Sequence, residues 1–188
     1  MYHPPMPPVD RQDLDPALSA ALSTQSYGAQ IAIEGLRVLP LRAHRDDSGS
    51  FVELGRLDQA GALLSMPDFE VRQINHSVLL PGGVKAWHLH FSQDDVWFVP
   101  ENSRVIAAFR DLRTDSPTTG QLQRMTLGGG QPVLVRIPAG VAHGLANPFQ
   151  APASLIYLVD QVFDPADPDE RRLPWDEWGA EIWECTRG

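Results

Sequence analysis

The sequence predicts an all-β protein: a jelly-roll sandwich or barrel of antiparallel strands, with a short N-terminal arm and a short C-terminal helical or irregular segment. Three observations predict it. From residue 31 onward the chain contains many short runs rich in apolar and β-branched residues. Turn-forming Gly, Pro, Asp and Asn residues separate these runs at near-regular intervals. No long run with helical periodicity interrupts them, so antiparallel sheets are the expected architecture.

The composition of residues 1–30 indicates an N-terminal arm rather than a part of the core. Prolines at positions 4, 5, 7 and 8 are followed by Asp15 and Pro16. An aspartate before a proline is typical of a helix cap and a first helical residue, so we expect a short helix at Ala17–Leu22. Such an arm is often disordered or packs on a neighbouring subunit.

Residues 31–188 predict a single jelly-roll domain, because a chain of 188 residues suffices for one hydrophobic core. Two turns show why the strands are expected where they are: Asp46-Asp47-Ser48-Gly49 and Gly128-Gly129-Gly130 each interrupt an apolar stretch. The expected strands are, in order, Ile31–Leu41, Phe51–Leu57, Phe69–Leu80, Val84–Phe91, Val96–Val99, Arg104–Leu112, Leu122–Leu127, Val133–Ile137 and Leu155–Phe163.

Charge and composition exclude several classes of partner. The formal net charge is -9, from 15 basic and 24 acidic residues, which disfavours binding to nucleic acids or anionic membranes. The chain has no run of about 18 apolar residues, so we expect no membrane span, and its N-terminus lacks the features of a secretory signal. The lone cysteine, Cys185, fits a reducing environment, and we expect a cytoplasmic protein.

Two histidines, His88 and His90, stand one residue apart in a predicted strand. Side chains alternate between the faces of a strand, so both point to the same side and can converge on one ligand. His143 follows in a later segment, and Asp94 or Asp95 comes just after His90. Three imidazoles and one carboxylate are a common set for a divalent metal in a small β-barrel.

The spacing of these residues resembles the two sequence motifs of the cupin superfamily. The second motif, Pro-x-Gly-x-x-His-x-x-x-Asn, is matched by Pro138, Gly140, His143 and Asn147. The first is matched less well, because aspartate replaces the glutamate and no glycine follows at the expected distance. The resemblance implies a cupin-type jelly roll, and one alternative is a metal-dependent cupin that uses His88, His90, Asp95 and His143.

A second resemblance, over residues 31–183, is more specific to function. The landmarks are Asp46-x-x-Gly49-x-Phe51-x-Glu53, Gln73-x-Asn75-x-Ser77, Ala86-Trp87-His88, Asp111-Leu112-Arg113-x-x-Ser116-Pro117-Thr118-x-Gly120 and Ile137-Pro138-x-Gly140-x-Ala142-His143-Gly144. They resemble successive motifs of the dTDP-4-dehydrorhamnose 3,5-epimerase family. These are cupin-fold enzymes that act on nucleotide-linked 4-keto-6-deoxy sugars.

The resemblance implies a role for each matched residue. His88 would be the base that removes a proton next to the ketone, a reaction that suits the near-neutral pKa of imidazole. Tyr157 would be the acid on the opposite side, and His143 would lie in the same pocket. The predicted substrate contacts are Phe51, Glu53, Gln73, Asn75, Lys85 and His143. The ordinary alternatives are core packing for the aromatic residues and strand-edge hydrogen bonds for the amides.

The sequence departs from the family at four positions. Ser48 replaces a phosphate-binding arginine, and Lys85, the only lysine in the chain, replaces another arginine. An ungapped count puts Val96 where the family has an active-site lysine. The chain ends at Gly188, short of the acidic residue that pairs with the catalytic histidine in the family. Either Asp94 or Asp95 is expected to take over one of these functions, or the chemistry has changed.

Lys85 is expected to bind the diphosphate or to polarise the 4-keto oxygen, unless it is a solvated loop residue. In a regular strand it would point away from His88, so this role requires a bulge or a strand that begins after Ala86. The sequence therefore predicts a homodimeric epimerase for a sugar-nucleotide substrate, with no obligatory cofactor. The alternatives are the metal-dependent cupin, an oxygenase or isomerase, and a sugar-nucleotide binding protein without catalytic activity.

Overall fold

The computed structural model describes residues 8–24 and 32–186 of the chain. The chain divides into two units, residues 1–30 and 31–188. In the first, a 3-10 turn at Arg11–Asp13 precedes helix α1, Pro16–Ala21. Oδ1 of Asp15 accepts a hydrogen bond from the Ala17 N–H at 2.8 Å, so the expected cap is present and the helix begins one residue earlier than predicted.

The second unit is a sandwich of short strands. The strands in the described residues are β1 Arg37–Pro40, β2 Ala43–Asp46, β3 Gly49–Val52, β4 Ala62–Leu63, β5 Met66–Glu70, β6 Gln73–Leu79, β7 Val84–Leu89, β8 Asp95–Phe98, β9 Arg104–Asp111, β10 Leu122–Gly128, β11 Val133–Ile137, β12 Val141–Ala146, β13 Ala153–Val159 and β14 Arg171–Arg172. A 3-10 helix, Ala180–Trp183, follows them as the predicted C-terminal helical segment.

Two five-stranded antiparallel sheets form the body of this unit. The first has the order β1-β11-β8-β13-β6 and the second the order β10-β9-β12-β7-β14. The hairpins β2–β3 and β4–β5 form two smaller sheets. Apart from β9 and β10, neighbouring strands within each large sheet are not consecutive in the chain, as in a jelly roll, so the predicted all-β class is confirmed.

The apolar side chains form three clusters, set by strand alternation. The cluster between the two large sheets contains Trp97, Phe109 and Val135. The next residues along β8, Val96 and Phe98, point to the opposite face and pack in a second cluster with Phe69. A third cluster contains Trp87, Trp178, Ile182 and Trp183, and the ring of Trp87 lies 4.7 Å from that of Trp183.

Several predicted strands differ from the observed ones in their bounds. The run Ile31–Leu41 contains a turn around Gly35, whose φ is 77°, so only β1 is extended, and Ile31 lies outside the described residues. The run Phe69–Leu80 is divided into β5 and β6 because the backbone N–H groups of Val71 and Arg72 bond to different partners. The runs that begin at Phe51 and Leu155 end earlier than predicted, with β3 and β13.

The segment that contains the second cupin motif was not among the predicted strands, but its residues Val141–Ala146 form β12. All six residues of β12 are buried, because it is a central strand of the second sheet. The motif containing His143 therefore lies inside the sandwich rather than in a surface loop.

Candidate active site

A cavity of about 530 Å³ lies between the two large sheets. Strands β6, β8 and β13 of the first sheet line one wall, and β7 and β12 of the second sheet line the other. The segment between β13 and β14 contributes the rest of the lining. The sequence-predicted residues that it brings together are Gln73, Asn75, Lys85, His88, His90, Asp95, His143 and Tyr157.

A bulge places Lys85 and His88 on the same face of β7. His143 of β12 pairs with His88, whereas Leu145, two residues further along β12, pairs with Lys85, three residues back along β7. The extra residue in β7 reverses the alternation of side chains. Both side chains therefore line the cavity, which is the geometry that the proposed role of Lys85 requires.

His88 has an acidic partner. Its Nδ1 lies 3.1 Å from Oε1 of Glu170. A carboxylate only accepts hydrogen bonds, so Nδ1 carries the hydrogen and the other nitrogen, Nε2, holds the lone pair in the neutral ring. Burial lowers the pKa of His88, and the nearby Glu170 charge partly offsets this effect. At neutral pH the ring is therefore neutral and able to accept a proton.

The expectation that His88 has no acidic partner, or one at Asp94 or Asp95, is wrong. Glu170 comes from the segment just before β14, and Arg172 of β14 pairs in register with His88. Arg172 donates to Glu170 at 2.8 and 2.6 Å. Burial raises the pKa of Glu170, but Arg172 and His88 outweigh this effect, so the pKa is lowered and Glu170 is ionised. A two-residue strand gives no periodic pattern by which the sequence could have revealed this partner.

The residue before Glu170 positions the other histidine of the pair. The carboxylate of Asp169 accepts hydrogen bonds from the backbone N–H groups of Phe91, Ser92 and Gln93, at 2.9, 2.8 and 3.0 Å. The backbone carbonyl of Asp169 accepts a hydrogen bond from Nδ1 of His90. Adjacent residues of one segment therefore orient both rings.

Tyr157 lines the wall opposite His88. It lies on β13, in register with Trp97 on one side and Asn75 on the other, so all three side chains share the cavity face of the first sheet. Burial raises the pKa of the Tyr157 phenol. The hydroxyl therefore stays protonated at neutral pH and can act as a donor.

The predicted substrate contacts in the cavity form a polar strip along one edge. Nε2 of Gln73 donates to Oδ1 of Asn75 at 2.8 Å, and Oε1 of Gln73 accepts from the Phe163 N–H at 3.0 Å. The Lys85 ammonium donates to Oγ of Ser77 at 2.6 Å. Side-chain donors and acceptors thus stand near the cationic group on the cavity wall, an arrangement suited to a polar ligand.

His90, Asp95 and His143 form a buried cluster whose ligand atoms all lie within 4.8 Å of one another. These three side chains could hold a metal ion. His88, the fourth residue of the sequence-predicted metal set, stacks parallel to His143 with the ring centres 6.1 Å apart. Its Nδ1 is occupied by Glu170 rather than directed to the cluster.

The structure also separates Asp94 and Val96 from this cluster. Asp94 bonds to Arg136 at 2.9 Å and to the Ala139 N–H at 2.8 Å. Val96 packs in the cluster on the far face of the first sheet, away from the cavity. The ungapped count therefore places the family lysine on the wrong face of β8, and the residues of β8 that face the cavity are Asp95 and Trp97.

Phe51 and Glu53 do not line the cavity. Phe51 lies on β3, where it is 64% exposed, and Glu53 just after β3 pairs with Arg56 at 3.0 Å. Ser48, at the turn between β2 and β3, donates to Oδ1 of Asp46 at 2.6 Å. The substrate contacts predicted for Phe51 and Glu53 stay predictions.

The longest landmark, which begins at Asp111, has a structural function. The Asp111 carboxylate is fully buried and accepts hydrogen bonds from Arg113, Ser116 and Thr118, among them one of 2.8 Å from Nε of Arg113. Burial raises the pKa of Asp111, but these donors outweigh it and hold the pKa well below its usual range. The residues of this landmark stabilise the loop between β9 and β10 and do not form part of the cavity wall.

A jelly roll with an acid-paired histidine and a tyrosine on opposite walls of one cavity has the groups of a proton-transferring enzyme, an isomerase of the cupin type. A sequence profile described as dTDP-4-dehydrorhamnose 3,5-epimerase matches residues 30–184, and the chain belongs to this family. The resemblance predicted from the landmarks is thereby confirmed. Within residues 8–24 and 32–186, no helix combines the length and the apolar character that crossing a bilayer requires.

Individual relatives agree with the family assignment. The chain is 39% identical over 145 residues to the spore coat polysaccharide biosynthesis protein SpsL of Bacillus subtilis, covering 77% of this chain and 91% of that protein. It is 32% identical over 158 residues to the probable low-salt glycan biosynthesis epimerase of Haloferax volcanii, covering 80% and 97%.

A solved structure, that of the 4-keto-6-deoxy sugar epimerase NovW from the novobiocin gene cluster of Streptomyces spheroides, is 26% identical. It superposes with a TM-score of 0.68 and covers 82% of this chain and 77% of that one. The predicted class, a sugar-nucleotide epimerase, is therefore supported over both alternatives, the metal-dependent cupin (oxygenase or isomerase) and the non-catalytic sugar-nucleotide binding protein.

Proposed function

We propose that the protein epimerises a nucleoside-diphosphate-linked 4-keto-6-deoxyhexose at a carbon next to the ketone. The observation that carries the proposal is that His88, held by Glu170, and Tyr157 face one cavity from opposite sheets. The relative from Streptomyces spheroides is itself a 4-keto-6-deoxy sugar epimerase, which supports the same substrate class here.

The reaction needs a base on one face of the sugar and an acid on the other. Nε2 of His88 takes the proton from the carbon beside the ketone, and the electron pair moves onto the ketone oxygen as an enolate. The Tyr157 hydroxyl then gives a proton to the same carbon from the opposite face, which inverts its configuration. The next turnover requires the proton to return from His88 to the tyrosine through solvent.

The polar strip of the cavity is the proposed binding site for the nucleotide part. Lys85 supplies positive charge for a diphosphate, whose oxygens pair well with an ammonium group. Gln73 and Asn75 offer amide donors and acceptors beside it. His143 would contact the sugar from the wall that carries the base.

We also propose that the protein works as a homodimer in the cytoplasm. The exposed Phe51 and the nearby Glu53 lie outside the cavity of their own subunit, so in this proposal they make their predicted substrate contacts in the cavity of a second subunit. The exposed free thiol of Cys185 supports a reducing location. Sedimentation of the wild type and of Phe51→Ser tests the dimer: a monomeric wild type would contradict it.

The decisive experiment is incubation with a 4-keto-6-deoxy sugar nucleotide in deuterated water. We expect deuterium at C3, C5 or both, read by mass spectrometry and proton NMR, and loss of this exchange in His88→Ala. His76→Ala, which changes an exposed histidine of β6, is the matched control and should exchange like the wild type. Substrate binding without exchange would reduce the protein to a sugar-nucleotide binding protein.

A further inference from the structure

The cavity between the two large sheets opens at the edge strand β14. Its lining in the second sheet comes from β12, β7 and β14, which are successive neighbours ending at that edge. The exposed fraction of the side chain rises along this series, from 4% for His143 through 23% for His88 to 70% for Arg172. A ligand whose sugar lies at His88 therefore has its remaining part near the mouth, where Arg172 lies.

Arg172 faces the cavity beside the base. It lies directly opposite His88 in the antiparallel pairing of β14 with β7. Opposite residues of such a pair project to the same face of the sheet, with Cα atoms about 5 Å apart. Lys85 reaches the same face from three residues back along β7, after the bulge. Two cationic side chains thus flank the base, one on its own strand and one on the next.

Only part of the Arg172 guanidinium is used within the chain. Its Nε and Nη2 both donate to Oε1 of Glu170, at 2.8 and 2.6 Å. A guanidinium has five N–H donors, so both hydrogens of Nη1 and one of Nη2 are left without an acceptor among the described residues. Because the contact with Glu170 fixes the plane of the group, the remaining donors are oriented before a ligand arrives.

The charge of the cavity makes direct contact with a cation important for an anionic ligand. In the described part of the chain, Lys85 and Arg172 are the two lysine or arginine residues of the lining. The acidic side chains of the lining are Asp95, Asp164, Asp167, Asp169 and Glu170. Carboxylates repel a diphosphate unless its oxygens contact the cations directly. Each of the two cations is therefore expected to contribute strongly to the affinity.

We propose that Arg172 binds the diphosphate of the substrate through Nη1 while it holds Glu170 through Nε and Nη2. This inference rests on the proposed function and adds a second contact for the nucleotide part. A planar guanidinium can pair with two phosphate oxygens at once, which the ammonium of Lys85 does not do. One side chain thus connects the bound diphosphate with the carboxylate that orients His88, and it favours a nucleoside diphosphate over a monophosphate.

Binding of thymidine diphosphate and thymidine monophosphate, measured by calorimetry, tests the contact without turnover. We expect Arg172→Gln to weaken binding of the diphosphate at least about tenfold, the usual effect of losing a hydrogen bond between charged groups. Binding of the monophosphate should weaken less than about threefold, because its phosphate makes fewer of these bonds. Arg172→Lys should recover part of the diphosphate affinity, since it keeps the charge but loses the planar group.

Arg171→Gln is the matched control, because it removes the same charge from the neighbouring residue of β14. The Arg171 guanidinium lies 5.4 Å from the centre of the Phe91 ring and does not line the cavity. This variant should bind both nucleotides like the wild type, and circular dichroism checks that both variants are folded. Undiminished diphosphate binding in Arg172→Gln, an equal loss in Arg171→Gln, or an equal loss for both nucleotides would overturn the contact.

The outcomes separate this contact from the proposed function. If the wild type binds thymidine diphosphate through Arg172 but incorporates no deuterium into the sugar nucleotide, the contact stands and the epimerase activity falls. If the wild type exchanges deuterium while Arg172→Gln keeps full nucleotide affinity, the activity stands and the contact falls. Failure of the wild type to bind either thymidine diphosphate or uridine diphosphate would also overturn the contact.

Discussion

Nδ1 of His88 lies 3.1 Å from Oε1 of Glu170, so the residue that we propose as the base is oriented by a carboxylate. This carboxylate fixes the tautomer that leaves Nε2 free and stabilises the imidazolium that forms when a proton is taken up. Arg172 in turn holds Glu170 with two hydrogen bonds, of 2.8 and 2.6 Å. Hydrogen bonds therefore connect Arg172, on the edge strand β14, through Glu170 to His88 in the cavity.

Glu170→Gln should lower kcat at least about tenfold with little change in KM, because the amide can hold the ring but no longer stabilises its charged form. Glu170→Asp should restore part of kcat, since it keeps the charge on a shorter side chain. Steady-state kinetics measures both variants. A change confined to KM would show that Glu170 acts in binding rather than on His88.

Tyr157→Phe should separate proton removal from proton return. His88 can still take the proton and give back a deuteron on the same face, so substrate should gain deuterium while its configuration is retained. Epimerised product should form about 10²–10⁴-fold more slowly, the usual contribution of a positioned acid. Mass spectrometry follows the isotope and NMR the configuration. Unchanged epimerisation would rule out Tyr157 as the acid.

Lys85→Met should raise KM about tenfold if the ammonium binds the diphosphate, because a charge-assisted hydrogen bond is lost. Lys85→Arg should keep most of the affinity, as it preserves the charge on the same face of β7. Loss of kcat at unchanged KM would instead indicate an interaction with the ketone oxygen. If Lys85→Met altered neither constant, Lys85 would have no part in the site.

Asp111→Asn should destabilise the fold by about 1–3 kcal/mol at neutral pH, because it weakens the buried bonds to Arg113, Ser116 and Thr118. The pKa of Asp111 is lower in the folded chain than the 3.8 of an ordinary aspartate. Its stabilising contribution is therefore complete above pH about 4 and declines as the pH falls toward the folded-state pKa.

Urea unfolding at pH 7, 4 and 3 checks this prediction for Asp111. The free energy of unfolding of the wild type should approach that of Asp111→Asn at the lowest pH, while other acidic groups affect both proteins alike. A difference that stays constant with pH would mean that the charge of Asp111 does not contribute.

The sequence predicts well those features that are local or repeated. Alternating apolar runs and turn residues predicted most strands, because side chains on a half-buried sheet follow a period of two. β12 was not among them, since a strand that is buried on both faces has no such alternation. The two-residue strand β14 carries too little pattern to be found at all.

The sequence predicted which residues lie in the cavity better than it predicted the contacts between them. His88, Tyr157, Lys85 and His143 meet in one cavity, as their motifs implied. Glu170 was missed because its contact with His88 depends on the pairing of β14 with β7, which joins residues 82 positions apart. Val96 was misplaced because counting without gaps cannot show which face of β8 a residue occupies.

The rings of Trp178 and Trp183 pack 4.8 and 4.7 Å from that of Trp87, on the residue before His88. The backbone of Leu173 also exchanges hydrogen bonds of 3.3 and 3.2 Å with Trp87. The C-terminal segment thus packs against β7, the strand that carries His88, on the face of β7 that points away from the cavity. Substituting one of these tryptophans would therefore hold the His88 side chain less firmly in position, although none of the three lines the cavity.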